Sequence, residues 1–595
     1  MTSSICHHFL AARSRPSQQA AFKFKRQSLW NSLTWTEAFS QSSQLALALQ
    51  SLGLSWGDRV AILSATRYEW GLFDMATMGC GAVTVPIYQS TLPEELAYIL
   101  NNCQAKILVL EDLSQWEKWQ KVQSTVPSVE QVILLEGEVK SSAKKWIGYS
   151  RLLQEGQELE SRAPEEFAKS IQKIKPSDLA TIIYTSGTTG QPKGVVLTHT
   201  QIMSEVTEAF SAMGVGPEDS SLIFLPLAHV LGRVEFWGSI YWGYSLAFAQ
   251  SIEGLRQNLQ EIQPSIMVAV PRIFEKFHAS ILSELENRPF WQKTVFDWAL
   301  SAGGALSQKQ MAREALGPIE LGAGLLAQNW LLQSVAKAFG GRLRFAVCGG
   351  APLNPTLAEF FHSAGLLILE GYGLTETTAA VTVNTPFAYR FGTVGKPIGD
   401  VEIQLAEDGE ILIRSQKVMK EYYADPEATA QALTQDGFLA TGDVGELSPE
   451  GFLRITDRKK DLIKTSGGKY VAPQKLENLL KLHPMVGHVH IHGDQRKYVV
   501  ALITLNEAMA AAFARQEKIS FQNFEALSQH PKIHDLIVQA VNKANEKLAD
   551  HESIKNFAIL PHDFSIERGE LTPSLKVKRK ICDERYQDIL NRLYA

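Results

Sequence analysis

Apolar and polar positions change period several times along the chain, and each change predicts an element. TEAFSQSSQLALALQSLGL carries an apolar stripe at helical spacing, with Thr36 placed to cap its start and Gly53 near its end. GDRVAILS reads as a strand, and GAVTVPIY as another after an intervening helix. This rhythm predicts parallel α/β layers and continues to about residue 400. VEIQLAEDGEILIRS then predicts two strands around a turn at Asp408-Gly409. After Asp457 the chain turns charged and then Gly-rich, as TDRKKDLIKTSGG, before a compact α/β region that runs to the end. The expected architecture is α/β: a large N-terminal domain of layered sheets with a small β-subdomain, residues 1–456, and a small mobile C-terminal domain, residues 457–595.

Composition narrows this picture. A chain of 595 residues exceeds one core, and 45% hydrophobic with 20% charged residues is ordinary for a globular protein. A net charge of −5 gives no basic footprint for nucleic acid. Cys6, Cys80, Cys103, Cys348 and Cys582 have no metal-ligand spacing and are odd in number, which predicts a reducing, cytoplasmic setting and no structural metal. Basic residues precede the first acidic one, Glu37, as in a transit peptide, but fold-like patterning already begins near Ile5. The longest uncharged stretch, Phe236 to Ile252, is about the minimum for a membrane span. Its serine, tyrosines and glycines favour a buried helix and strand beside a pocket, with peripheral membrane contact as the alternative.

The chemistry concentrates in YTSGTTGQPKG, residues 184–194. Thr185, Ser186, Thr188 and Thr189 offer hydroxyl donors, while Gly187, Gly190 and Gly194 let backbone N–H groups approach a ligand. Lys193 adds a mobile positive charge. A strand from Leu179 to Tyr184 should feed this loop, which suits a polyphosphate. It is not a Walker loop, because Gly194 follows Lys193 where that motif needs Ser or Thr.

Further constellations agree. EGYGLTET follows the apolar run GLLIL, so it sits at a strand end. Tyr372 can stack on a purine, Thr375 can bond a phosphate oxygen, and Glu376 is a hard ligand for phosphate-bound Mg²⁺. Asp443 in TGD can accept both ribose hydroxyls, with Arg458 in support; alone, a Gly-Asp turn is commonplace. In GELTPSLKVKRK, Pro573 and Leu575 interrupt a basic run and favour a placed Lys576 over a solvated tail.

In order and approximate spacing, YTSGTTGQPKG, CGGAPL, EGYGLTET, TGD, TDRKKDLIKTSGGKYVAP and LTPSLKVKR resemble the signature set of adenylate-forming enzymes, from about Ile5 to Lys580. TWTEAF, LPLAHVLGR, VPRIFEKF and TPSLKVKR resemble the long-chain fatty acyl-CoA and acyl-carrier-protein synthetase branch. Cys348 departs from the Ser more usual there, and a core role suits it better than a nucleophile's.

The resemblance implies ATP, Mg²⁺ and CoA as reactants and cofactors, with a fatty acid of roughly ten to eighteen carbons, each buried methylene adding ~0.8 kcal/mol. It implies that Thr185, Ser186, Gly187, Thr188, Thr189, Gly190 and Lys193 hold the β- and γ-phosphates. Thr375 and Glu376 would serve the α-phosphate and Mg²⁺; Gly350, Ala351, Glu370, Gly371 and Tyr372 the adenine side; Asp443 and Arg458 the ribose. Lys576 would act in adenylation, and rotation about a hinge at Lys460 would bring the Ser466-Gly467-Gly468 loop to the thiol tunnel. His229 would line the carboxylate end of the acyl pocket, or else be a satisfied core histidine. Phe224, Phe236, Trp237, Tyr241 and Trp242 are the tunnel or gate candidates. An acidic acyl carrier protein is the alternative acceptor, for which Lys576, Lys578, Arg579, Lys580, Arg496 and Lys497 form a basic cluster. A non-catalytic acyl or nucleotide sensor and a peptide-synthesis enzyme are the remaining readings.

Overall fold

The computed structural model describes residues 3–139, 146–185, 191–286, 288–312, 317, 327, 335–572 and 576–595. The first long amphipathic helix runs Trp35–Ser51, two residues earlier than Thr36 as cap would place it. Thr34 is the cap instead. Its hydroxyl accepts the Glu37 N–H at 3.2 Å, and the Glu37 carboxylate returns to the Thr34 N–H at 2.8 Å. That reciprocal box satisfies two helix-end donors at once, which Thr36 could not do.

Contacts divide the chain into two units. The first comprises Met1–Ile403, Ile413–Leu439 and Ser448–Leu453. Its eight-stranded sheet is ordered Glu421–Tyr422, Lys193–Thr198, Leu179–Thr185, Val83–Ile87, Arg59–Leu63, Ile107–Leu110, Gln131–Leu134 and Trp146–Gly148. From Leu179–Thr185 through Trp146–Gly148 the neighbours are parallel, as the alternating helix and strand signals require. Lys193–Thr198 pairs antiparallel with Leu179–Thr185, putting Thr185 opposite Lys193. A second sheet runs Ile266–Ala269, Phe345–Cys348, Ile368–Leu374, Ala379–Val383 and Lys396–Pro397. Its first three strands are parallel and the rest antiparallel.

The uncharged stretch folds as expected into a helix, Val230–Trp242, and a strand, Ser245–Phe248. Arg233 on that helix is fully buried and paired with Asp74. Its guanidinium also donates to Thr181, on the strand that feeds the phosphate loop, and lies 4.4 Å from the Trp237 ring centroid. Trp237 Nε1 completes the group with a 3.1 Å bond to Asp74. A charge pair so deep is tolerated because each partner has further polar or aromatic company.

The second unit comprises Gln404–Leu412, Ala440–Leu447 and Arg454–Ala595. Two pieces of the β-rich stretch therefore belong with the C-terminal residues. Its main sheet joins Val486–His492, Val499–Leu505 and Ile554–Ile559, covered by helices such as Pro473–Leu480 and Pro531–Asn545. All five cysteines are buried free thiols.

Candidate functional site

In the first unit, two motifs meet through one tyrosine. Lys193 begins the strand leaving the phosphate loop, and its ammonium lies 5.1 Å from the Tyr422 ring centroid. The Tyr422 hydroxyl donates to Glu376 Oε1 at 2.8 Å, and the Met419 N–H donates to the Glu376 carbonyl at 2.7 Å. Tyr422 pairs with Val195 and so rides on the same sheet edge as Lys193. Thr185 is described and half-buried; Ser186, Gly187, Thr188, Thr189 and Gly190 lie outside the described residues.

EGYGLTET spans the end of strand Ile368–Leu374 and a single 3₁₀ turn, Thr375–Thr377. The chain then reverses through Thr378 and Ala379 at φ 57° and 91°. Side chains avoid this region, at a cost of about 1–3 kcal/mol each, so the surroundings must hold it. The Thr377 hydroxyl accepts the Leu374 N–H at 2.8 Å and bonds the Ala379 carbonyl at 3.1 Å. A side chain on Gly373 would come within 1.3 Å of the Ala379 oxygen, so only glycine fits there.

Glu370 on the same strand accepts the Leu353 N–H at 3.0 Å, fastening CGGAPL to EGYGLTET. Desolvation pushes its carboxyl upward from the ordinary range. Cys348 is register partner to Glu370, fully buried with its thiol pushed well up, which suits core packing rather than nucleophilicity. Gly350, at φ 80°, and Ala351 are exposed just past the end of strand Phe345–Cys348. Together with half-buried Gly371 and Tyr372, they gather where parallel strands end, the usual ligand crevice of α/β sheets.

His229 caps helix Val230–Trp242, its Nδ1 accepting the Leu231 N–H at 3.2 Å. Of the tunnel candidates, Phe224, Phe236 and Trp237 are buried in the cores, while Tyr241 and Trp242 are partly exposed. A cleft of about 730 Å³ lies among Arg15, Lys23, Asp219 and Arg342 and holds none of the motif residues.

In the second unit, Arg458 Nε donates to Asp443 Oδ1 at 3.0 Å, so the two ribose candidates are joined. Thr441-Gly442-Asp443 lie within strand Leu439–Leu447 rather than at a turn, with Gly442 at φ 72°, and neighbours fix them. The Thr441 hydroxyl donates to the Ile411 carbonyl at 2.7 Å, and the Gly442 N–H to Glu410 at 2.9 Å. Burial pushes neighbouring Asp457 up to about 6. Lys460 is exposed two residues beyond Arg458. Ser466, Gly467 and Gly468 form an exposed turn whose Ser466 N–H donates to the Arg496 carbonyl at 2.9 Å. Lys576 is exposed on a narrow loop, where Thr572 and Lys576 exchange a backbone bond of 2.8 Å and a hydroxyl bond of 3.0 Å. Pro573, Ser574 and Leu575 lie outside the described residues.

The basic cluster is narrower than its sequence suggests. Arg579 is held by both oxygens of Glu477, at 2.7 and 2.9 Å, and Arg496 bonds Asn591 at 2.7 Å.

His490, His492 and Asp583 have metal-ligand proximity, both rings bonding Asp583 Oδ1 at 2.7 Å. His490 Nδ1, however, is buried without a partner. A metal-ligating histidine nearly always donates that second N–H, so the group fits a hydrogen-bonded cluster better than a cation site. Glu376 fits a cation better. Tyr422 uses one of the roughly four acceptor sites of a carboxylate and leaves the others for a hard ion.

Tyr422, Lys417, Glu205 and Glu208 carry no motif signature and were not among the expected residues. Only their long-range contacts with Glu376 and the turn after it reveal them.

Comparison with known proteins matches residues 9–423 to the family model described as AMP-binding enzyme and residues 460–595 to its C-terminal domain model. The chain is 35% identical to the long-chain-fatty-acid–CoA ligase FadD15 of Mycobacterium bovis, over 95% of this chain and 93% of the relative. It is 31% identical to fatty acyl-CoA synthetase A of Dictyostelium discoideum, over 95% and 86%. Among solved structures, the anthranilate CoA ligase AuaEII with anthranoyl-AMP superposes with TM-score 0.72 at 19% identity, covering 100% of this chain and 98% of that one. The adenylation domain of a carboxylate reductase from Mycobacterium chelonae gives 0.74 at 22%, over 99% and 91%. At these identities the structural likeness concerns the fold. Among the described residues no helix is long and apolar enough to cross a membrane.

Proposed function

The chain belongs to the AMP-binding enzyme family, and from that premise we propose that it is a long-chain fatty acid–CoA ligase that forms AMP. The names of its relatives support the substrate class. The observation that carries the chemistry is the Lys193–Tyr422–Glu376 group, which sets a cation and a carboxylate about one ring at the exit of the phosphate loop.

In the first half-reaction a carboxylate oxygen of the fatty acid bonds to the α-phosphorus of ATP. The bond from that phosphorus to the bridging oxygen breaks, and pyrophosphate leaves with its electron pair. Charge builds on phosphate oxygens, so fixed donors and cations lower the barrier. Lys193 and the Thr185–Gly190 loop hold the β- and γ-phosphates, and Thr375 bonds the α-phosphate. Asp443 accepts the ribose hydroxyls, held in place by Arg458. Gly350, Ala351, Glu370, Gly371 and Tyr372 form the adenine side. Glu376 holds Mg²⁺, which when bound neutralises phosphate charge. Lys576 acts in this step as a positive charge shared by carboxylate and α-phosphate.

In the second half-reaction the CoA sulfur bonds to the acyl carbon, the acyl–phosphate C–O bond breaks, and AMP leaves; the thiol proton passes to solvent. The Ser466-Gly467-Gly468 turn serves this step, and rotation at Lys460, between domains 1–456 and 457–595, changes between the two. His229 stands at the carboxylate end of the acyl site. CoA is favoured over a carrier protein as acceptor because Arg579 and Arg496 are committed to internal partners, which narrows the basic cluster a carrier protein would need.

Pyrophosphate release across a panel of acids, with and without CoA, tests this. Long-chain acids should give the highest kcat/KM, and AMP and acyl-CoA should appear together only with CoA. Acetate or an aromatic acid as the best substrate, or no turnover with any acid, would refute it.

A further inference from the structure

Helix His199–Ala212 turns Gln201, Glu205 and Glu208 to one side, at spacing i, i+4 and i+7. Facing them is Lys417, whose side chain is fully buried. Its ammonium lies 3.0 Å from Glu205 Oε2 and 3.2 Å from Glu208 Oε2, and it donates to the Ala380 carbonyl at 3.1 Å. Glu205 Oε1 accepts the Ala380 N–H at 2.9 Å. Both polar groups of Ala380 are thus held by the same ion group. The Thr378 hydroxyl donates to the Lys417 carbonyl at 2.8 Å, and the Gln201 amide donates to the Val418 carbonyl at 3.2 Å.

Two buried charges, Lys417 and Glu205, with half-buried Glu208 beside them, are a poor way to stabilise a core, since apolar side chains would serve as well. Their placement has a more specific use. They brace Thr378 and Ala379, the two residues with left-handed backbone directly after Thr375-Glu376-Thr377. The helix that carries Glu205 and Glu208 also follows directly from the strand headed by Lys193, and Gln201 closes the capping box with Thr198 at that junction. One rigid path therefore runs from Lys193 through the helix to the turn that sets Glu376.

We propose that Lys417, with Glu205 and Glu208, is a positioning device for Glu376: it clamps the Thr378–Ala379 turn and fixes the Glu376 carboxylate relative to Lys193. The proposal rests on the assignment of Glu376 to the phosphates and their Mg²⁺.

The test uses the full chain with Lys417→Met, Thr378→Val and Glu376→Gln. Lys417→Met removes the cation between two carboxylates. Thr378→Val removes one hydroxyl bond and no charge, and decides the matter if the first variant does not fold. Pyrophosphate exchange should show kcat down about a hundredfold in Lys417→Met and about tenfold in Thr378→Val, with KM for ATP within about twofold of wild type. Half-saturating Mg²⁺ should rise in both. Amide hydrogen exchange without ligands should quicken across 374–383 while strand Arg59–Leu63 stays protected. If Glu376→Gln leaves the Mg²⁺ requirement unchanged, the assignment of Glu376 falls and the proposal with it. If Glu376→Gln raises that requirement while the other two keep wild-type kcat and exchange, the proposal alone is overturned. Uniform loosening of the core, with kcat lost in proportion, would make the triad merely structural and also overturn it.

Discussion

Tyr422 holds Glu376 by a 2.8 Å hydrogen bond while its ring lies 5.1 Å beneath the Lys193 ammonium. Residues from two separate motifs thereby share one aromatic side chain. Burial and the neighbouring carboxylate keep the phenol protonated, so it remains a donor across the working pH range.

Tyr422→Phe should keep the ring under Lys193 and remove only the donor. A hydrogen bond to a charged group contributes about 1.5–3 kcal/mol, so kcat for adenylation should fall about ten- to a hundredfold. The thermal midpoint should move little, because the apolar contacts remain. Rapid-quench measurement of acyl-AMP formation with a differential melting scan would check both. Wild-type kcat in the variant would mean that Glu376 is oriented by other groups.

What the sequence made legible was local. The run Leu179–Tyr184 is a strand feeding the phosphate loop, and EGYGLTET does sit at a strand end. Such features follow from short-range periodicity and from glycines that a few neighbouring residues explain. The cap at Thr34 was missed because Thr36 lies nearer the apolar stripe, yet only Thr34 has a glutamate three residues on. Lys417 and Tyr422 were invisible for another reason. Their partners are 212 and 46 residues away, at Glu205 and Glu376, and a lone Lys or Tyr in a polar stretch carries no sign of burial or distant pairing. The tunnel aromatics show the same limit, since hydrophobicity marks Phe236 and Trp237 for the interior without separating pocket lining from core.

Asp443→Ala should weaken ATP binding more than it slows chemistry. Its side chain is almost fully buried beside Arg458, and its loss removes the 3.0 Å bond from that guanidinium. KM for ATP should rise about ten- to a hundredfold, with the effect on kcat under about fivefold. Steady-state kinetics at saturating acid and CoA would show this, and an unchanged KM would place the ribose elsewhere.

Asp74→Ala should destabilise the first unit severely, although Asp74 itself belongs to no motif. It strips Arg233 of its ion pair and Trp237 of its acceptor in a site sealed from water. Breaking one side of a buried pair costs about 3–5 kcal/mol. Urea unfolding should show that loss, and the double change Asp74→Leu/Arg233→Met should recover much of it.

Glu235 should make stability fall with rising pH. Its carboxyl is buried, bonded to the Ser221 hydroxyl at 2.6 Å, and pushed up to about 8 by desolvation. Between about pH 5 and 8 the folded chain holds this proton while the unfolded chain, with an ordinary glutamate, has released it. Its contribution is therefore complete at low pH and lost as pH rises through about 8. Glu235→Gln should flatten that part of the stability–pH curve, measured by urea midpoints from about pH 5 to about pH 9. Parallel curves for variant and wild type would mean that the carboxyl ionises freely in the fold.

Lys576→Ala and Lys460→Pro should separate the two half-reactions in opposite directions. Lys576 stands exposed on a loop pinned at its base by Thr572, so a methyl in place of its side chain removes a charge and little packing. Acyl-AMP formation should be abolished, while thioester formation from supplied acyl-adenylate and CoA continues near the wild-type rate. Lys460 is also exposed, in the turn after strand Leu453–Arg458. Proline there fixes φ and deletes an N–H, which should arrest rotation in one state. Acyl-AMP should then form and accumulate, with acyl-CoA production stalled. Single-turnover assays of each half-reaction on both variants would test this, with circular dichroism to confirm that they fold. Equal loss of both steps in Lys576→Ala would make the lysine structural or common to both states. Normal overall turnover in Lys460→Pro would move the hinge to another residue.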